Sequence, residues 1–232
     1  MGDKDVVYKG IDIGLETENH EKIEAYEKEQ ERIRLDNCFK KYCESGIPDK
    51  FKRHNFTTFK TTTDGEKYVK EVSMKFADKP SNKILIMCGN NGNGKTHLGT
   101  SVIYQSIFNG FGGCYITSPN LCIKYESAIG YKAKMSREEI IDFYSRCSGV
   151  LVIDECCKYF VNSELEKFIL VQIICNRYEN NLATVLISNS NKKDFVEYLG
   201  KAVYDRCTEV CTTLDFNWES KRKLNREVEN AE

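Results

Sequence analysis

The sequence predicts an α/β fold in which a five-stranded parallel sheet is flanked by helices. Beyond Lys83, short apolar runs alternate with longer amphipathic ones, the pattern of a parallel sheet covered by helices. One of these runs, Ile84–Cys88, leads straight into a glycine-rich loop and then a helical segment. Another, Val150–Ile153, ends on the adjacent carboxylates Asp154 and Glu155.

Taken in order, the highly charged segment Glu21–Glu44 carries Ile23, Tyr26, Ile33 and Phe39 as one loose apolar stripe of a helix. That stripe is too thin for a core of its own. It reads either as a solvated helix packed on the main domain or as a docking arm for a partner. Ser45-Gly46-Ile47-Pro48 breaks the helix, and Phe51, Phe56 and Phe59 come next in an irregular stretch. The expected division is therefore a short N-terminal helical extension (1–45), a main domain (46–222) and a charged C-terminal tail (223–232). Strands are expected at Ile84–Cys88, Cys114–Thr117, Val150–Asp154, Thr184–Ser188 and Cys211–Phe216, each a short run suited to burial between helices. Helices fill the gaps at Thr96–Asn109, Asn120–Ala128, Glu138–Arg146, Glu164–Asn180 and Lys192–Leu199. The segment beyond Phe216 has too little apolar content to fold independently, so no separate lid domain is expected.

Composition narrows the function classes. A chain of 232 residues supports one main domain. A net charge of -1 gives no global basic field, so any DNA contact must be local. The 11 cysteines are odd in number and scattered through strands and helices. That is the usage of buried free thiols in a reducing cytosol. Cys38 with Cys43, and Cys156 with Cys157, lack a second pair or a histidine at ligand spacing, so zinc is not expected. The first residues lead into no long apolar run, which predicts a cytoplasmic protein with neither signal peptide nor membrane partner.

The loop Gly89-Asn90-Asn91-Gly92-Asn93-Gly94-Lys95-Thr96 matches G-x-x-x-x-G-K-[ST] between an apolar strand and a helix start. Glycines let successive backbone N–H groups turn inward around a phosphate, and the positive end of the next helix favours the anion. Lys95 is then expected at the β- and γ-phosphates of ATP, with Thr96 a ligand of Mg²⁺. Asp154 is expected to hold the same Mg²⁺, directly or through water, and Glu155 to orient and polarise the attacking water. A third apolar strand, Thr184–Ser188, ends on Asn189. Its amide reads as a group that positions the water and senses the γ-phosphate, or as a plain turn former.

Gly89–Thr96, Val150–Glu155 and Ile187-Ser188-Asn189-Ser190-Asn191 resemble the Walker A, Walker B and sensor 1 elements of AAA+ ATPases. More narrowly, the set resembles the DnaC and DnaI family of replicative helicase loaders. Ser45-Gly46-Ile47-Pro48, the run Gly94-Lys95-Thr96-His97-Leu98, Tyr204-Asp205-Arg206, and Phe216-Asn217-Trp218-Glu219-Ser220-Lys221-Arg222 carry the narrower likeness. The resemblance adds His97 to the ATP-binding run. It implies that Arg206 is an arginine finger placed in a neighbouring subunit's ATP site, and that Arg222 is a sensor 2 arginine facing its own nucleotide. Hydrolysis would then require self-assembly. Implied partners are a replicative DnaB-type helicase, gripped in this family by the N-terminal region, and single-stranded DNA.

Basic and aromatic side chains that track a strand backbone and stack its bases are available at Lys124, Tyr125, Tyr131, Lys132 and Lys134, with Ser163 and Leu165 as a second candidate loop. The same residues also read as core packing and a solvated helix face. Two other functions stay open. One is an IstB-like transposition helper on the same scaffold, against which Phe216-Asn217-Trp218 and Arg222 favour the loader. The other is a non-hydrolysing ATP-binding adaptor, against which Glu155 and Arg206 count.

Overall fold

The computed structural model describes residues 13–129, 133–157, 163–200, 203–205 and 208–221. The chain divides into two compact units, Met1–Phe39 and Lys40–Glu232. The first is made by helix α1, which runs Ile13–Glu44 and so continues into the second unit. Arg32 pairs with Glu29 and Asp36, and Arg34 with Glu31, along its surface. Such i,i+3 and i,i+4 pairs each stabilise a helix by only a few tenths of a kcal/mol, about 0.2–0.5. Ile23, Tyr26 and Phe39 are each more than half exposed.

The second unit continues with α2 (Asp64–Asp78), β1 (Ile84–Gly89), α3 (Lys95–Phe108), β2 (Gly113–Thr117), α4 (Ser118–Ser127), α5 (Arg137–Arg146), β3 (Val150–Cys156), α6 (Ser163–Glu179), β4 (Thr184–Ser188), α7 (Lys192–Leu199) and β5 (Cys211–Phe216). All strand pairings are parallel, in the order β2-β3-β4-β1-β5. The predicted five-stranded parallel sheet flanked by helices is therefore present, with every expected strand within two residues of its place. Leu85, Met87, Leu151, Ile153, Val185 and Ile187 are all buried. Helices on both faces explain why these strands read as continuous apolar runs rather than alternating ones.

Between the irregular stretch of Phe51, Phe56 and Phe59 and β1 lies a helix for which no element was expected, α2. Thr63 caps it, accepting from Glu66 N, while the Glu66 side chain reaches back to the cap backbone. Val69, Phe76 and Ala77 form its buried face. Both signals, a T-x-x-E capping box and apolar residues at helical spacing, are in the sequence. The compact-unit boundary also falls earlier than the break at Ser45. The last turn of α1 belongs to the second unit, where the Tyr42 ring meets the Tyr104 edge at 5.4 Å and its hydroxyl donates to Lys52 O. Ser45 O then accepts from Tyr115 N at 2.7 Å, laying the entry segment along the β2 edge of the sheet.

Two features of the topology position the site. β1 lies between β4 and the edge strand β5, so the loop that leaves it opens at the sheet's C-terminal end, one strand in from that edge. β3 and β4 lie side by side, and between Ile153 and Cys156 their register shifts. The irregularity spans Asp154 and Glu155, where Glu155 takes φ +57°. A left-handed non-glycine backbone costs on the order of 1–3 kcal/mol and tends to sit where side chains must be aimed.

Candidate functional site

The glycine-rich loop is built by exclusion. Gly89 has φ +129° and its α-carbon lies so close to the Phe216 carbonyl that a Cβ would collide with backbone. Gly94, at φ +92°, begins α3 with the Phe59 ring against it. Only glycine satisfies both the left-handed backbone and the missing side chain. Gly89 N donates to Ser190 O, and Asn93 Nδ2 donates to Phe216 O at 2.8 Å and Trp218 O at 2.5 Å. The Trp218 indole returns a bond to Asn93 O at 3.1 Å, and Lys221 N donates to Gly92 O. The loop is thus tied to the end of β5 and the segment after it.

Lys95 is buried, its Nζ donating to the carbonyls of Gly89 and Asn90 at 2.6 and 2.7 Å. Thr96 Oγ1 donates to Asp154 Oδ2 at 2.7 Å, and Tyr115 Oη donates to the same oxygen at 2.9 Å. The other carboxylate oxygen accepts from Glu155 N at 2.7 Å. Burial pushes the Asp154 carboxyl up from its ordinary value, against the three donors that pull it down. Burial, followed by the neighbouring Asp154 charge, pushes the Tyr115 hydroxyl up as well, so it remains a donor.

These groups line a cavity of about 770 Å³ whose walls include Asn91, Gly92, Gly94, Lys95, Thr96, His97, Asp154, Glu155 and Asn189. Its outer wall is aromatic. His54 and His97 stack in parallel at 4.1 Å, Phe59 meets His97 edge-on at 5.3 Å, and His97 Nε2 lies 3.1 Å from both Thr58 Oγ1 and Asn55 O. Burial, then the neighbouring His97, holds the His54 imidazole down to about 4, and burial lowers His97 too. Both rings are neutral at pH 7. Lys221 completes this wall, with its Nζ 3.0 Å from the buried Glu66 and 4.3 Å from the centre of the Phe59 ring.

The structure therefore brings Lys95, Thr96, Asp154, Glu155 and Asn189 to one cavity. The Asn93 side chain faces the β5 end instead, leaving its backbone to the loop. Lys124 and Tyr125 lie on α4, and Lys134 precedes α5. Tyr125 is half-buried, with the Arg137 guanidinium 4.9 Å from its ring and the Phe168 edge at 6.5 Å. Leu165 is packed partly into the core. Tyr131, Lys132, Arg206 and Arg222, and the Ser163 side chain, lie outside the described residues.

Tyr115, Glu66, His54 and Phe59 are site residues that the motifs do not single out, and Trp218 and Lys221 lie in a stretch that carries the narrower likeness without a role of their own there. Their contacts join segments distant in the chain. Of these, Glu66 leaves a local signal, as the N3 residue of the capping box that starts at Thr63.

Residues 27–229 match the family of IstB-like ATP binding proteins. A curated relative, the replicative helicase loader DnaC of Buchnera aphidicola subsp. Acyrthosiphon pisum, is 25% identical over 218 residues, covering 89% of this chain and 88% of the relative. The replicative helicase loader DnaC of Escherichia coli strain K12 is 24% identical over 201 residues, covering 85% and 80%. Among solved structures, the DnaC helicase loader superposes with a TM-score of 0.63 at 20% identity, over 73% of this chain and 99% of that one. The replication initiator DnaA, bound to AMPPCP and single-stranded DNA, superposes at 0.61 with 13% identity, over 80% and 56%. These structural likenesses are to the AAA+ fold.

Proposed function

This chain belongs to the family of IstB-like ATP binding proteins and is a P-loop ATPase of AAA+ fold, and we propose that it is an ATP-controlled loader of a replicative DnaB-type helicase. In this reading it binds ATP and Mg²⁺, assembles with copies of itself and with the helicase on single-stranded DNA, and uses hydrolysis as the timer of its release. The observation that carries the loader reading is the likeness to curated DnaC loaders over most of both chains.

The residues fit ATP with Mg²⁺. The loop Asn90–Thr96 and the start of α3 would offer backbone N–H groups to the phosphates. Thr96 and Asp154 offer a hydroxyl and a carboxylate, oxygen donors suited to a hard cation, already within 2.7 Å of each other. When bound, Mg²⁺ would neutralise charge on the β- and γ-phosphates. Lys95 would exchange its two loop carbonyls for phosphate oxygens. Glu155, beside the metal pair, would accept a proton from the attacking water, and Asn189 would hold that water from the β4 side. The aromatic wall of Phe59, His54 and His97 would take the base, with both histidines uncharged. Arg206, supplied by a neighbouring subunit, and Arg222 would stabilise charge on the transferring phosphoryl group, an effect worth about 10³–10⁵ in rate for an arginine finger. Single-stranded DNA would be met by Lys124, Tyr125, Tyr131, Lys132, Lys134 and Ser163, and the helicase by residues 1–45.

A second reading is favoured by the family match itself, which names IstB-like proteins: a transposition helper on duplex DNA. One experiment separates the two. Immobilised Glu155→Gln, expected to hold ATP without hydrolysing it, is compared with Lys95→Ala, expected to bind no nucleotide, for what each captures from source-cell extract. Recovery of the replicative helicase with Glu155→Gln alone supports the loader and its ATP switch. Equal recovery by both keeps the partner and removes the switch. A transposase in place of the helicase overturns the loader reading.

A further inference from the structure

At the opposite end of the sheet from the nucleotide loop, Arg177 of α6 is fully buried. Its Nε donates to Thr184 Oγ1, and its Nη2 to Gly149 O at 2.9 Å and Ala183 O at 2.7 Å. Its Nη1 reaches the carbonyls of Tyr144, Ser145 and Cys147, and also Cys147 Sγ at 3.3 Å. Among the described residues no carboxylate bonds this guanidinium. A buried charge is costly unless an opposite charge meets it. Among the described residues, the one acid within hydrogen-bond reach is the Cys147 thiol. Cys147 stands at the C-terminal cap of α5, where free carbonyls would disfavour an anion. Arg177 occupies those carbonyls and adds a positive charge.

A second sulfur is present. Cys114, the second residue of β2, is close enough to Cys147 for the two thiols to couple electrostatically, while Cys147 Sγ also faces Tyr144 O at 3.4 Å. Both cysteines are partly exposed, unlike the buried Cys88, Cys122 and Cys156. A partly exposed thiol in electropositive surroundings is the setting of reactive cysteines, whereas buried thiols are inert. We propose that Cys147 and Cys114 form a peroxide-reactive dithiol, in which Cys147 is the attacking sulfur and Cys114 the resolving one. The neighbouring Cys114 thiol, and then the Arg177 charge, hold the Cys147 thiol below its ordinary value against burial. The Cys147 thiol and burial raise Cys114, so the proton of the pair stays there. The other titratable group facing them is Tyr144 of α5, kept neutral by burial.

The step balances with hydrogen peroxide as oxidant. The Cys147 thiolate attacks one peroxide oxygen, the O–O bond breaks, and with one proton the products are Cys147 sulfenic acid and water. The Cys114 sulfur then attacks Cys147 sulfur. Its proton leaves with the departing hydroxide as a second water, and a disulfide links β2 to the end of α5.

The test uses the full chain. Iodoacetamide labelling is followed by peptide mass spectrometry across pH, and peroxide-treated protein is digested without reduction. Expected are a half-maximal labelling rate at Cys147 clearly below the about 8.5 of an ordinary thiol, and a peroxide-dependent peptide joining Cys114 to Cys147. In Cys114→Ser, dimedone should trap the sulfenic acid on Cys147; in Cys147→Ser, neither the cross-link nor dimedone on Cys114 should form. A Cys147 labelling midpoint at the ordinary value, or peroxide cross-links that bypass Cys147, would overturn the proposal. The wild-type pH profile and cross-link map decide it even where a variant fails to fold.

Discussion

Tyr115 Oη and Thr96 Oγ1 share one acceptor, Asp154 Oδ2, at 2.9 and 2.7 Å. A strand-borne phenol thus fixes the rotamer of the carboxylate proposed to hold Mg²⁺, while the other carboxylate oxygen is fixed by Glu155 N.

Tyr115→Phe keeps the buried ring and removes that bond. Groups that orient a metal ligand typically matter by about 10–100-fold in affinity or activity. Half-maximal ATP hydrolysis is therefore expected to need about tenfold more Mg²⁺, with metal-free nucleotide binding unchanged. A Mg²⁺ titration of the initial rate measures it. An unshifted curve would mean that Thr96 and the backbone suffice to place Asp154.

Asn93→Ala removes the donor shared by Phe216 O and Trp218 O. Leaving a buried acceptor unsatisfied costs about 1–3 kcal/mol, so a loss of that order is expected in denaturant unfolding. The loop's nucleotide affinity should fall with it, because the same bonds hold the loop against β5.

Trp218 is the single tryptophan, and its indole donates to the loop at Asn93 O. Saturating ATP should shift its emission, and Lys95→Ala should abolish the shift. If ATP binds by equilibrium dialysis with the spectrum unmoved, the loop does not communicate with the β5 end.

The folded-state value of His54, about 4, lies below the ordinary 6.5. The unfolded chain therefore takes up a proton near pH 6.5 that the folded chain refuses. The stabilisation is complete above about 6.5 and is lost as pH falls toward 4. With partial exposure allowed for, the loss is on the order of 2 kcal/mol. Asp154, with its raised value, acts in the opposite direction as pH falls. The informative quantity is thus the difference between wild type and His54→Phe in urea unfolding from about pH 7 to pH 4. The substitution should shrink the acid loss; an identical profile would clear His54 of the effect.

Local patterns make most of the sheet legible. The apolar runs of β1, β3 and β4 are legible because burial on both faces leaves no alternation to confuse the reading, whereas the edge strand β5 alternates, with Leu214 and Phe216 buried and Thr212 and Asp215 exposed. The loop Gly89–Thr96 is legible because its glycines answer a backbone requirement that no other residue meets. α2 is harder to read although its capping box and its apolar residues Val69, Phe76 and Ala77 are in the sequence, since the phenylalanines before it suggest an irregular stretch. By sequence alone the cysteines look like uniform buried thiols. Position in the folded chain separates Cys147 and Cys114 from the rest, by bringing Arg177 from a helix 30 residues downstream of Cys147 onto its sulfur.

The chain's own order of residues was enough to establish the parallel α/β sheet, the phosphate loop and the pair Asp154-Glu155, because each rests on local rules of periodicity, glycine backbone freedom and charge at a strand end. The partners of those residues had to come from the fold. Tyr115 at Asp154, Asn93 at Phe216 and Trp218, His54 against His97, and Arg177 at Cys147 are contacts across 30 to 125 positions. No local rule specifies them, since they depend on which strands lie side by side and which helix ends meet.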